Sequence, residues 1–127
     1  MVNHKRQILY AEDNPFDRER FVKLIDQNFP DCEVEMFDNG LQLINHLLSI
    51  KDPSRFPSRI VLDLFMPYWN GLQTLKALKE DEFYSSIPVS IVTASSDEND
   101  VKWLKQFGAT SCVSKPLTKG TISAILQ

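Results

Sequence analysis

The run Ile60-Val61-Leu62-Asp63-Leu64-Phe65-Met66-Pro67-Tyr68-Trp69-Asn70-Gly71 constrains this chain more than any other. Its first part is apolar and rich in branched side chains, which suits a strand covered on both faces. Asp63 interrupts it. Pro67 cannot donate to a sheet ladder, and Asn70-Gly71 brings turn chemistry before a helical pattern starts at Leu72. An ionised carboxylate in such a run is costly to bury unless it is paired or bound to a cation. Asp63 is therefore expected where the strand leaves the sheet, beside something that favours its charge.

The remainder of the chain alternates in the same manner. Ile8 to Ala11 is a short apolar run closed by Glu12 and Asp13, and Asn14-Pro15 starts a helix that runs to Asn28, with Phe16, Arg20, Phe21, Leu24, Ile25 and Phe29 marking its period. Cys32 to Phe37 alternates apolar and acidic residues, the pattern of an edge strand with one wet face. Asp38-Asn39-Gly40 opens a second helix with Leu41, Leu43, Ile44, Leu47 and Leu48 apolar, and Lys51 to Arg59 reads as a long loop. Leu72, Leu75, Ala77, Leu78 and Phe83 mark a third helix, followed by a fourth strand at Val89 to Thr93. Ser96 or Asp97 is expected to cap a fourth helix bearing Val101, Leu104 and Phe107, which Gly108 ends. A fifth strand, Ser111 to Lys115, stops at Pro116, and Leu117 to Gln127 reads as a last helix.

Five strands alternating with five helices, at about 20 to 25 residues per unit, imply an α/β fold whose parallel sheet is wound on both faces. In open sheets of this class the site lies at the carboxyl ends of the strands. Glu12-Asp13, Asp63, Thr93 and Lys115 all fall at such ends. One of them alone would be a cap or a turn former. Together they make a rim of complementary chemistry: carboxylates that repel unless a hard cation such as Mg²⁺ joins them, a hydroxyl and an ammonium. An ionised Asp beside such a cation can act as a nucleophile toward phosphorus, with Thr93 and Lys115 meeting the oxygens of the transferring group.

Composition excludes little but excludes it usefully. The 127 residues suit one domain, residues 1–127, and a net charge of −3 leaves no footprint for direct nucleic-acid binding. No apolar segment approaches membrane-spanning length, and Asn3 to Gln7 does not read as a signal peptide, so a cytoplasmic location is expected. Cys32 and Cys112, each in a strand-like run, read as reduced core thiols rather than zinc ligands.

These marks, Ile8-Leu9-Tyr10-Ala11-Glu12-Asp13-Asn14, Leu62 to Pro67 with Gly71 after it, Val92-Thr93-Ala94 and Lys115-Pro116, are similar to those of the response-regulator receiver domain of two-component signalling. The resemblance implies a flavodoxin-like strand order, 2-1-3-4-5. It implies that Asp63 takes phosphate from a histidine kinase or phosphotransfer protein, with Mg²⁺ held by Asp13, Asp63 and the main-chain carbonyl of Phe65 and with Glu12 acting through water. Thr93 and Lys115 would contact the phosphoryl group, and the Lys115–Pro116 peptide would be cis. The altered surface near the ends of strands four and five would control a downstream protein target. The sequence departs from the family pattern at Cys112, where an aromatic residue often stands three positions before the lysine.

Other classes fit less well. Phosphohydrolases of the haloacid dehalogenase type need a second Asp two residues after the nucleophile, and that place is Phe65, which cannot exchange a proton. A flavin module would want a phosphate cradle after strand one, where Glu12-Asp13-Asn14-Pro15 is acidic. A scaffold that binds partners without being phosphorylated would keep the same marks. With no effector domain within these residues, output is expected through protein contact or through residues beyond them. Trp103, about 200° around its helix from Val101, and Tyr68-Trp69 beside the acceptor are candidate contact residues.

Overall fold

A computed structural model describes residues 5–94 and 98–127 of the chain. Ser96 and Asp97, expected as helix caps, lie outside the described residues. The elements in order are β1 Arg6–Ala11, α1 Pro15–Asn28, β2 Cys32–Phe37, α2 Gly40–Ser49, β3 Arg59–Asp63, α3 Gly71–Glu80, β4 Val89–Thr93, α4 Glu98–Gln106, β5 Ser111–Ser114 and α5 Lys119–Leu126. A single 3₁₀ turn, Pro53–Arg55, sits in the long loop before β3. The strands form one parallel sheet in the order β2-β1-β3-β4-β5. The fold is the five-stranded, doubly wound, flavodoxin-like architecture that the alternation and the resemblance imply.

Strand periodicity divides the core in two. Leu9, Ala11, Ile60, Leu62, Val89 and Ile91 face Leu43 and Leu47 of α2, Leu75 and Leu78 of α3 and Leu104 of α4. The alternate residues Ile8, Tyr10, Val61 and Val92 face Phe21 and Ile25 of α1 and Ile122 and Ile125 of α5. Period two along buried strands therefore assigns each helix to its layer. The edge position of β2 accounts for its alternation, with Glu33 and Glu35 in solvent.

The helix starts are built by side chains. Asn14, Asn39, Asn70 and Thr118 each cap a helix by accepting N–H bonds, and at α3 and α5 Gln73 and Thr121 complete capping boxes. Several apolar residues placed on helix faces by period are in solvent instead. Phe16 is 80% exposed, standing roughly 140° around α1 from Phe21. Leu41 and Leu48 flank the buried Leu43–Leu47 stripe, and Phe83 lies beyond the end of α3. The last helix begins at Lys119 because Leu117, fully buried, belongs to the connection that carries the cis Lys115–Pro116 peptide.

Two close approaches lock β3 to its neighbours. A Cβ on Gly71 would lie 2.5 Å from the carbonyl oxygen of Asp63, so α3 starts directly against the end of β3. A Cβ on Gly40 would lie 2.8 Å from the carbonyl oxygen of Trp69, which brings α2 against the same turn. Tyr68 and Trp69 hold the turn in left-handed backbone, with φ of 50° and 74°. Bulky side chains rarely adopt that conformation, so the turn is a strained link between β3 and α3.

Candidate functional site

The carboxyl ends of β1, β3 and β5 bring four charged residues together. Glu12 follows β1, and its backbone N–H donates to the Phe37 carbonyl at 2.9 Å, extending the pairing with β2. Its carboxylate is fully buried, accepting from the Tyr10 hydroxyl at 2.8 Å and from the Asn14 N–H at 3.1 Å. Asp63 ends β3 and is also buried. Carboxylate oxygens of Glu12, Asp13 and Asp63 lie within 4.8 Å of one another, with Asp13 exposed at the mouth.

Lys115 closes the cluster from the other side. Its backbone N–H donates to the Thr93 carbonyl at 2.8 Å, which sets the stem beside β4. Its ammonium lies 3.2 Å from Glu12 Oε2, 3.5 Å from Asp63 Oδ2 and 2.7 Å from Asp17 Oδ2. Thr93 is buried at the end of β4, one residue beyond the Val92 that pairs with Asp63. Phe65 is exposed, and its N–H donates to Asp63 Oδ1 at 3.5 Å.

The electrostatics follow from crowding. Burial first, then the hydrogen bond and charge of Glu12, push Asp63 up to about 7, while Lys115 and the Phe65 N–H pull the other way. Desolvation works against the charged form of Lys115, but the Asp17 hydrogen bond and the charges of Asp63 and Glu12 outweigh it and raise its pKa. Burial, reinforced by Glu12, holds the Tyr10 phenol well above its ordinary value, so Tyr10 stays a donor to Glu12. A buried carboxylate whose own proton competes near neutrality fits a site completed by a further cation. Three clustered carboxylates are a hard-oxygen donor set, the chemistry that Mg²⁺ or Mn²⁺ takes.

Every side chain expected at the rim stands there: Glu12, Asp13, Asp63, Thr93 and Lys115 at the strand ends, with Phe65 just past them. Two participants were not anticipated. Within the apolar run of β1, Tyr10 stands two before Glu12, a spacing that puts both on one side of the strand. Asp17 was passed over because it lies on a helix rather than at a strand end. Its signal is its place in the first turn of α1, just after the Glu12–Asp13 rim. On the surface, Trp103 is 61% exposed and lies against Phe107, whose ring receives the ammonium of Lys76 at 4.4 Å. Tyr68 and Trp69 are exposed in the turn that follows Asp63.

Residues 8–127 match the family described as the response regulator receiver domain. The phosphate regulon transcriptional regulatory protein PhoB of Escherichia coli (strain K12) is 32% identical over 123 residues, covering 96% of this chain and 50% of PhoB. The chain thus spans about half the length of the first curated relatives it matches. Among solved structures, the bacteriophytochrome response regulator AtBRR superimposes with a TM-score of 0.85 at 28% identity, covering 97% of this chain and 91% of that one. The Mn²⁺-bound form of response regulator Rcp1 gives a TM-score of 0.78 at 24% identity, covering 96% and 89%, a likeness of fold. With the match running almost end to end, the chain belongs to the response-regulator receiver family, the signalling phosphoacceptor domains of two-component systems.

Proposed function

We propose that residues 1–127 act as one receiver unit that accepts a phosphoryl group on Asp63 from the phosphohistidine of a histidine kinase or phosphotransfer protein. The observation that carries this reading is the buried Asp63 carboxylate, set between the Glu12–Asp13 pair and the Lys115 ammonium. An Asp63 oxygen attacks phosphorus, the bond from phosphorus to the donor imidazole nitrogen breaks, and the electron pair stays on that nitrogen. Lys115 balances charge on the phosphoryl oxygens, and the Thr93 hydroxyl donates to one of them. Glu12, Asp13, Asp63 and the Phe65 carbonyl would hold Mg²⁺, with Glu12 acting through water. When bound, the ion would supply positive charge that offsets the carboxylates and the phosphoryl group. The reading places the domain in the cytoplasm, with output through a protein that senses the ends of β4 and β5 rather than through direct contact with nucleic acid.

Incubation with a small acyl phosphate and Mg²⁺, followed by intact mass measurement, is expected to show one added phosphoryl group. An unchanged mass at every donor concentration would overturn the reading.

Metal dependence gives an independent check. Millimolar Mg²⁺ at neutral pH is expected to raise the melting temperature, since a ligand at a hundred times its Kd stabilises by about 2.7 kcal/mol. The ion and the Asp63 proton compete. Apparent affinity should therefore fall as pH drops below about 7, approaching tenfold per pH unit for one displaced proton. A melting temperature indifferent to Mg²⁺ at pH 8 would remove the ion from the mechanism.

A further inference from the structure

Lysine has three N–H donors and no acceptor, so the direction of its ammonium is set by the acceptors around it. Around Lys115 these are carboxylates at 2.7 Å (Asp17), 3.2 Å (Glu12) and 3.5 Å (Asp63). The nearest stands outside the Glu12, Asp13, Asp63 trio. Asp17 occupies the third position of α1, where an acid ordinarily turns back to the N-cap N–H. Here the Asn14 N–H donates to Glu12 Oε1, and the Asn14 side chain itself accepts from the Phe16 and Asp17 N–H groups. Helix capping therefore accounts for neither the orientation of Asp17 nor its contact. Its carboxylate crosses from α1 to the residue that follows β5, and both side chains are largely buried, at 21% and 17% exposure.

We propose that Asp17 is a positioning residue for phosphoryl acceptance: it anchors one N–H of Lys115 so that the remaining donors face the group arriving on Asp63. The proposal rests on the reading of Asp63 as acceptor and Lys115 as its phosphoryl contact. Without Asp17, the acids within 4.0 Å of the ammonium, among the described residues, are Glu12 and Asp63. Lys115 would close onto them and neutralise the two carboxylates that the reaction requires free. Asp17 thus holds the ammonium near the acceptor without letting it collapse onto the acceptor.

The test is the affinity for beryllium fluoride, a phosphoryl mimic, in Mg²⁺, measured by calorimetry on wild type, Asp17→Asn, Asp17→Glu, Lys115→Met and the Asp17→Asn/Lys115→Met double variant. Asp17→Asn is expected to weaken binding about fivefold, the scale of a coupled pair in contact, and Asp17→Glu to recover most of it. In the Lys115→Met background, Asp17→Asn is expected to change nothing further. Equal or tighter binding by Asp17→Asn than by wild type overturns the proposal. So does an undiminished effect without Lys115, because Asp17 would then act by its field rather than through the lysine. Wild type that binds no mimic, or Lys115→Met that binds as well as wild type, would instead bring down the underlying site reading. Melting curves without metal check that each variant folds, and Asp17→Ser is read in place of Asn if Asn disturbs folding.

Discussion

Asp63→Asn is expected to abolish phosphoryl uptake completely and, in the absence of metal, to make the protein more stable than wild type. The first effect follows because an amide oxygen is not the required nucleophile. The second follows from the displaced proton. Asp63 has its pKa pushed up to about 7 by burial and by Glu12, against an ordinary value near 4. A raised folded-state pKa means that the favourable contribution is present below about 4 and is lost as pH rises through about 7. Wild type without metal therefore loses stability over that window, and Asn at this place removes the loss. The gap between variant and wild type should be small at pH 4 and full above pH 7. Each kcal/mol recovered moves the midpoint by roughly 4 °C for a chain of this size. Labelling of Asp63→Asn equal to wild type in the intact-mass assay would move the acceptor elsewhere. A gap that does not widen with pH would show that Asp63 bears no such strain.

Phe65→Asn is expected to shorten the lifetime of the phosphorylated protein at least tenfold, each factor of ten corresponding to about 1.4 kcal/mol in the barrier. Hydrolysis needs a water in line with the bond from phosphorus to Asp63. Its oxygen attacks phosphorus, and the electron pair of the breaking bond returns to the carboxylate. Phe65 is rooted beside that line, its N–H donating to Asp63 Oδ1. Its ring has neither donor nor acceptor to hold the water, and it can cover the approach. An Asn side chain offers both donor and acceptor. Ser95, two residues past Thr93, would flank the same approach but lies outside the described residues. The measurement is phosphoprotein remaining with time after the donor is removed in Mg²⁺; decay no faster than wild type would show that access at this position does not set the lifetime.

How far the residues alone announced this arrangement depends on where each one sits. Glu12, Asp13, Asp63, Thr93 and Lys115 were legible because a parallel sheet exposes one end of every strand on a common rim, so chain order alone gathers them. The two-layer core was legible for the same reason, since period two along buried strands needs no tertiary information. Asp17 and Tyr10 were not, because their roles depend on which atom lies nearest in three dimensions: Asp17 reaches across 98 residues to Lys115, and Tyr10 bonds a carboxylate that could have turned elsewhere. Exposed Phe16, Leu41, Leu48 and Phe83 mark the opposite error. Apolar periodicity reports what a helix can bury, while the width of the layer it meets decides what it does bury.

The fastening of α1 to the connection after β5 bears on when the site comes into existence. Asp17 meets Lys115 across 98 residues, and Arg20 Nε donates to the Leu117 carbonyl across 97. Contacts this distant in sequence cost loop-closure entropy before they return anything. During synthesis the first three strands can pair while the cation of the site has yet to leave the ribosome. At that stage Glu12, Asp17 and Asp63 have no ammonium among them, and closeness between them is repulsive. The carboxylate cluster is then unfavourable until a cation, Lys115 or a divalent ion, joins it.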